Sequence, residues 1–185
     1  MEKINVDTEE WGVQHLDHEC GPCTACCVWL GVEELKKFTG QKCKHLRNPV
    51  YAHKRCGIYP SRPKACVEYQ CLWREGWGPK DMRPHESGIL VTPYLDHNNP
   101  DQNKVSFTVN VFDMDKAADR YNNVIAALLT LTFTVEVRLI FIKQKRALLF
   151  RDGKVYQCKL LPAEGYEALL FEAKDEPIGT YLAKR

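Results

Sequence analysis

The chain has 185 residues, 44% of them apolar, enough for one substantial domain or two small ones with a sizeable core. Its 26 basic and 24 acidic residues nearly balance, and the resulting charge of +2 argues against a general nucleic-acid or membrane coat. The apolar stretches at 126–135 and 137–142 are interrupted by charge and too short to span a bilayer.

The opening residues MEKINVDTEEWG are polar and acidic and contain no apolar run, so no signal peptide is expected. The chain therefore reads as a soluble, cytoplasmic protein without a membrane partner. In a reducing cytosol, clustered thiols more often bind metal or do chemistry than form disulfides.

Composition changes near residue 87. Residues 1–87 hold eight of the nine cysteines, all four tryptophans and six of the ten prolines, with little periodicity. Such loop-rich chain needs an external staple, so 1–87 reads as a cysteine-rich metal-binding module. Residues 88–185 read as an α+β domain of unassigned role.

The first cysteine group is Cys20-Gly21-Pro22-Cys23-Thr24-Ala25-Cys26-Cys27. Two-residue gaps let successive thiolates converge on one metal or cluster, and Gly21-Pro22 favours a tight turn between the first two. Cys20, Cys23 and Cys26 reproduce the C-x2-C-x2-C part of a bacterial ferredoxin run. Cys27 departs from it by following at once. Adjacent Cys26 and Cys27 cannot easily point at one place from extended chain, so they either serve two centres or leave one thiol unligated.

The second group, Cys43, Cys56, Cys66 and Cys71, is widely spaced. The eight thiols allow two four-cysteine sites, or one cluster with structural cysteines left over. Cys158 stands alone in a predicted strand and reads as a core residue.

Between Leu35 and Val67 lie nine basic residues and no acidic one: Lys36, Lys37, Lys42, Lys44, Arg47, Lys54, Arg55, Arg62 and Lys64. A dication held by four thiolates is a net dianion, which nearby cations stabilise. A solvated basic face explains the same run, and docking of an anionic partner such as phosphate or RNA is a weaker third reading. His15, His18, His45 and His53 are candidate substitute ligands, each more simply a surface histidine. Trp29, Tyr59, Tyr69, Trp73 and Trp77 are expected to pack around the thiols.

Residues 73–88 read as an irregular connector. Strands are expected at 88–95 and 104–113, separated by a turn-rich stretch, then a helix over about 115–130. A β-rich run at 132–143 follows, and two apolar runs around Asp152-Gly153 signal a hairpin. The fold class is thus α+β: an irregular metal-stapled cysteine-rich half packed on a small mixed or antiparallel sheet of roughly five strands, with one main helix.

The run Cys20-x-x-Cys23-x-x-Cys26-Cys27, followed by Cys56-x-Ile58-Tyr59-x-x-Arg62-Pro63-x-x-Cys66-x-x-Tyr69-x-Cys71-x-Trp73, resembles the bacterial CxxCxxCC cysteine-cluster family. That family is described as zinc- or iron-chelating, often as Fe–S-cluster-containing, and includes relatives of flagellin lysine N-methylases. The resemblance spans residues 20–73 and implies metal chelation by Cys20, Cys23, Cys26, Cys27, Cys43, Cys56, Cys66 and Cys71. Arg62-Pro63 is expected to set the chain direction before Cys66, with Arg62 bonding a thiolate or a backbone carbonyl.

Three functions follow as expectations. The first is an iron–sulfur protein with a redox or electron-transfer role and a redox partner. The second is a zinc-stabilised module that binds a protein or RNA. The third, a lysine-modifying enzyme resembling the methylase relatives, rests on family analogy, since the eleven glycines form no nucleotide or methyl-donor motif.

Overall fold

Over Val105–Val111 apolar and polar residues alternate, and Phe107, Val109 and Val111 all turn inward. This strand, β2, lies inside a six-stranded sheet in the computed structural model, which describes residues 18–38, 40–47, 55–94, 105–118, 120–131, 134–163 and 166–180. The other strands are β1 (Ile89–Tyr94), β3 (Thr134–Phe141), β4 (Arg146–Arg151), β5 (Lys154–Ala163) and β6 (Tyr166–Thr180). They follow one another across the sheet in chain order. All neighbours pair antiparallel except β2 and β3, which are parallel.

A parallel pair needs a crossover, and two helices between β2 and β3 supply it. They are Met114–Ala117 and Arg120–Thr130. The periodicity predicts one helix here, yet Ala118 takes a positive φ of 25° and divides it. The break serves two docking directions. Fully buried Ala117 holds the first piece in the core, and at the exposed surface Lys116 Nζ donates to the His85 carbonyl at 2.7 Å. The longer helix buries Val124, Ile125, Ala127 and Leu128 and packs on β3 and β2.

The Asp152-Gly153 turn joins β4 to β5 with φ of 51° and 74°, the pair of left-handed residues that a tight hairpin requires. Cys158 is buried with Ile140, Ala147 and Leu149, as its setting in a strand suggests.

The sheet is mixed and larger than the small one expected. Its sixth strand, β6, comes from Tyr166–Thr180, where Lys174, Asp175, Glu176 and Pro177 interrupt any alternation. An edge position tolerates such a proline, and the β5–β6 register shifts in its neighbourhood. Pro93 sits likewise in β1, the opposite edge.

The described residues of 18–87 contribute short helical pieces and two isolated bridges. The helical pieces are α-helices at Ala25–Trp29, Lys64–Glu68 and Pro84–Ser87, numbered α1 to α3, and 3₁₀ turns at Glu33–Leu35, Tyr59–Ser61 and Lys80–Met82. The connector expected to be irregular at 73–88 instead contains the Lys80–Met82 and Pro84–Ser87 helical turns, and Trp73, Trp77 and Met82 join Ile89, Val91 and Phe107 in the main core. Gly88 then enters β1 at φ 70°; a Cβ there would lie 2.4 Å from the Asp113 carbonyl.

Candidate metal centre

The cysteine segment lies against the outer edge of the sheet. Leu72 N–H donates to the Val91 carbonyl at 3.0 Å, and the Tyr69 hydroxyl meets Thr92 Oγ1 at 3.0 Å. These contacts hold Cys71 beside β1. Gly21, at φ 46°, permits the expected tight turn, closed by Cys23 N–H to the Cys20 carbonyl at 2.8 Å. α1 follows and carries Cys26 and Cys27.

Cys20, Cys23, Cys26 and Cys71 line one cavity of about 40 Å³, walled by Tyr69 and Trp73 among others. That volume is room for about three water-sized occupants. The four thiols come from the turn, from α1 and from the chain just beyond α2. All nine cysteines are free thiols.

The remaining four are assembled differently. Cys43 N–H donates to the Cys27 carbonyl at 2.9 Å. Residues 45–47 pair with 55–57 through a Leu46–Cys56 bridge, with Gly57 N–H to the His45 carbonyl at 2.8 Å and Arg47 N–H to the Arg55 carbonyl at 2.7 Å. Cys66 lies in α2, whose Ala65 N–H is held by Glu34 Oε1 at 3.4 Å.

Burial pushes the Cys66 thiol up, and the charges of Cys27, Cys43 and Cys56 add to it. Burial raises Cys71 to about 11, with Cys23 and Cys20 contributing. Burial also raises Cys23. The side-chain hydrogen bond between the adjacent Cys26 and Cys27 thiols pushes Cys26 up, and burial adds to it. Cys27 is lowered to about 7 by that bond, helped by Lys37 and Arg62 and opposed by burial.

Lys37 is the residue that sequence reasoning left among eight other bases. It is buried, and its ammonium donates to the carbonyls of Val28 at 3.2 Å, of Leu30, and of Phe38 at 3.5 Å. Burial lowers its pKa, opposed by the negative charges of Cys43, Cys27, Cys26 and Cys66. A buried cation among thiols favours their charged forms. No local sequence signal separates Lys37 from Lys36.

The other candidates fall into structural roles. Arg62 stacks its guanidinium 3.7 Å over the Tyr59 ring and donates to the Tyr59 carbonyl at 3.0 Å, one of its two expected partners. His18 stacks on Trp73 with ring centroids 4.3 Å apart, and its Nδ1 lies 2.6 Å from the Trp73 carbonyl. His45 offers its backbone carbonyl to Gly57. His15, His53 and Lys54 lie outside the described residues. Trp29 stacks on Phe112, joining the cysteine segment to the chain after β2.

Among the described residues, no three His, Cys, Asp or Glu side chains are already arranged to hold one metal ion. The donor chemistry nonetheless fits a thiophilic metal, because four thiols line one cavity and Cys27, Cys43 and Cys66 lie near the buried Lys37 ammonium. Among the described residues, no helix is long and apolar enough to cross a membrane. Comparison with protein-family models, with curated proteins and with solved structures found no match.

Proposed function

We propose that this chain is a metal-binding protein whose ligands are Cys20, Cys23, Cys26, Cys27, Cys43, Cys56, Cys66 and Cys71, and that the metal is iron in iron–sulfur form with a redox or electron-transfer role. The resemblance to the CxxCxxCC cysteine-cluster family points the same way. The observation that carries the reading is the cavity lined by Cys20, Cys23 and Cys26 from one run and by Cys71, some 45 residues further along the chain. A core thiol acting as a small hydrophobe has no reason to gather with three others.

An iron–sulfur centre bound there would supply one-electron transfer. The chain's own residues would hold the thiols, wall one side of the cavity with Tyr69 and Trp73, and oppose the negative charge of the ligands with Lys37 and Arg62. Metal binding displaces the thiol protons that burial retains.

A zinc-stabilised module that binds protein or RNA is the second reading. It is favoured by the shortness of the helices in 18–87, none longer than five residues among those described, since a structural zinc holds such chain together. Anaerobic purification followed by assay of iron, zinc and acid-labile sulfide separates the two. Iron with matching sulfide and a brown sample supports the first; zinc in a colourless sample supports the second; a metal-free chain refutes both.

A further inference from the structure

We infer that the eight cysteines form two separate metal centres, one on Cys20, Cys23, Cys26 and Cys71 and one on Cys27, Cys43, Cys56 and Cys66. The inference rests on the metal-binding reading above and adds the pairing of ligands, which spacing along the chain leaves open. It assigns the adjacent residues Cys26 and Cys27 to different centres. It also separates Cys66 from Cys71, which flank the end of α2.

The first set is defined by a common wall. Its four cysteines line the same cavity, and none of the other described cysteines lines it. Cys71 reaches that wall because the Leu72–Val91 and Tyr69–Thr92 bonds tie its flanks to β1. Cys20 and Cys23 reach it through their tight turn.

The second set is joined by backbone. Cys43 is bonded to the Cys27 carbonyl, and the chain from 43 continues into the bridge that holds Cys56. Cys66 lies in α2, which Glu34 tethers through the Ala65 N–H from the 3₁₀ turn after α1.

The helix explains the division between neighbours. Successive residues of an α-helix point about 100° apart, so Cys26 and Cys27 leave α1 in different directions. Cys26 lines the cavity and Cys27 does not, while the Cys27 backbone carbonyl accepts from Cys43 N–H. Their thiols still touch, so the two sets lie side by side. Lys37 acts on both, through Cys26 on one side and Cys27, Cys43 and Cys66 on the other. The competing arrangement is a single centre on Cys20, Cys23, Cys26 and Cys27, with the rest unligated.

The test is cobalt(II) titration of the reduced, metal-free full chain, with bound ions counted by native mass spectrometry. Cys20 is exposed and Cys56 only half-buried, so serine at either leaves the main core intact. The wild type is expected to take two ions, and Cys20→Ser and Cys56→Ser one each. The cross-set double variant C20S/C56S should take none, and the same-set double C20S/C71S should keep one.

Two ions on the wild type, with C20S/C71S losing both or C20S/C56S keeping one, would overturn the division while leaving metal binding intact. A single ion on the wild type would do the same. No ion on the wild type would overturn the metal-binding reading itself. Wild-type-like circular dichroism in the variants guards against counting an unfolded chain as a lost site.

Discussion

The two halves of the molecule are built by different means. Among the described residues, the largest fully buried side chains (Ile89, Leu90, Leu128, Val109, Val111, Val124, Val137, Pro84 and Ser87) all lie at residue 84 or beyond. Three of the exposed large apolar residues, Phe38, Tyr59 and Val67, lie among the cysteines instead. The sheet satisfies its backbone by continuous ladders, whereas 18–75 relies on isolated turns and bridges. Apolar burial is sufficient reason for the sheet to fold; the cysteine segment adds only Ala25, Cys71 and Trp73 and their neighbours to that core, and the metal-binding reading proposed above predicts that ligands hold the rest.

The largest effect that would break this contrast is metal removal. Stripping the metal from anaerobically purified protein should raise amide exchange across 18–75 by orders of magnitude while β2, β3 and β4 keep their protection. Equal loss in both regions would mean that the halves fold as one unit. Unchanged exchange in 18–75 would mean that the metal is not what holds it.

Next in size is Leu128→Ala. Leu128 is fully buried on the helix that packs against β2 and β3, so urea unfolding should show a loss of about 3 kcal/mol with metal per chain unchanged. Gly88→Ala should cost about 2 kcal/mol, because its φ of 70° is unfavourable for alanine and the new Cβ meets the Asp113 carbonyl. A neutral result there would show that the entry to β1 shifts freely. Smallest is Tyr69→Phe, which removes the hydroxyl bond to Thr92 across the joint between the halves. About 1 kcal/mol in thermal or urea unfolding is expected.

How much of this was legible in the sequence also differs by half. β1, β2 and the β4–β5 hairpin were readable, because alternation and an Asp-Gly turn are local signals. The helix before β3 was readable too, though its division at Ala118 depends on where Ala117 and Leu128 dock. β6 was not readable, since its charges and Pro177 are tolerated only by an edge position that pairing order decides. The candidate ligands were visible as a list, and the divergence of Cys26 from Cys27 was foreseeable from their adjacency. Their grouping was not, because Leu72–Val91 and Glu34–Ala65 are contacts between residues far apart in sequence. Lys37 gave no local sign of its place among the thiols.

X-ray absorption at the metal edge of the anaerobically purified chain tests the central claim most directly, since it reads the atoms bound to the metal. Thiolate ligation by the clustered cysteines predicts a first shell of sulfur alone, with an iron–iron path beyond it for a cluster. A first shell of nitrogen and oxygen, or a chain that retains no metal, would contradict it.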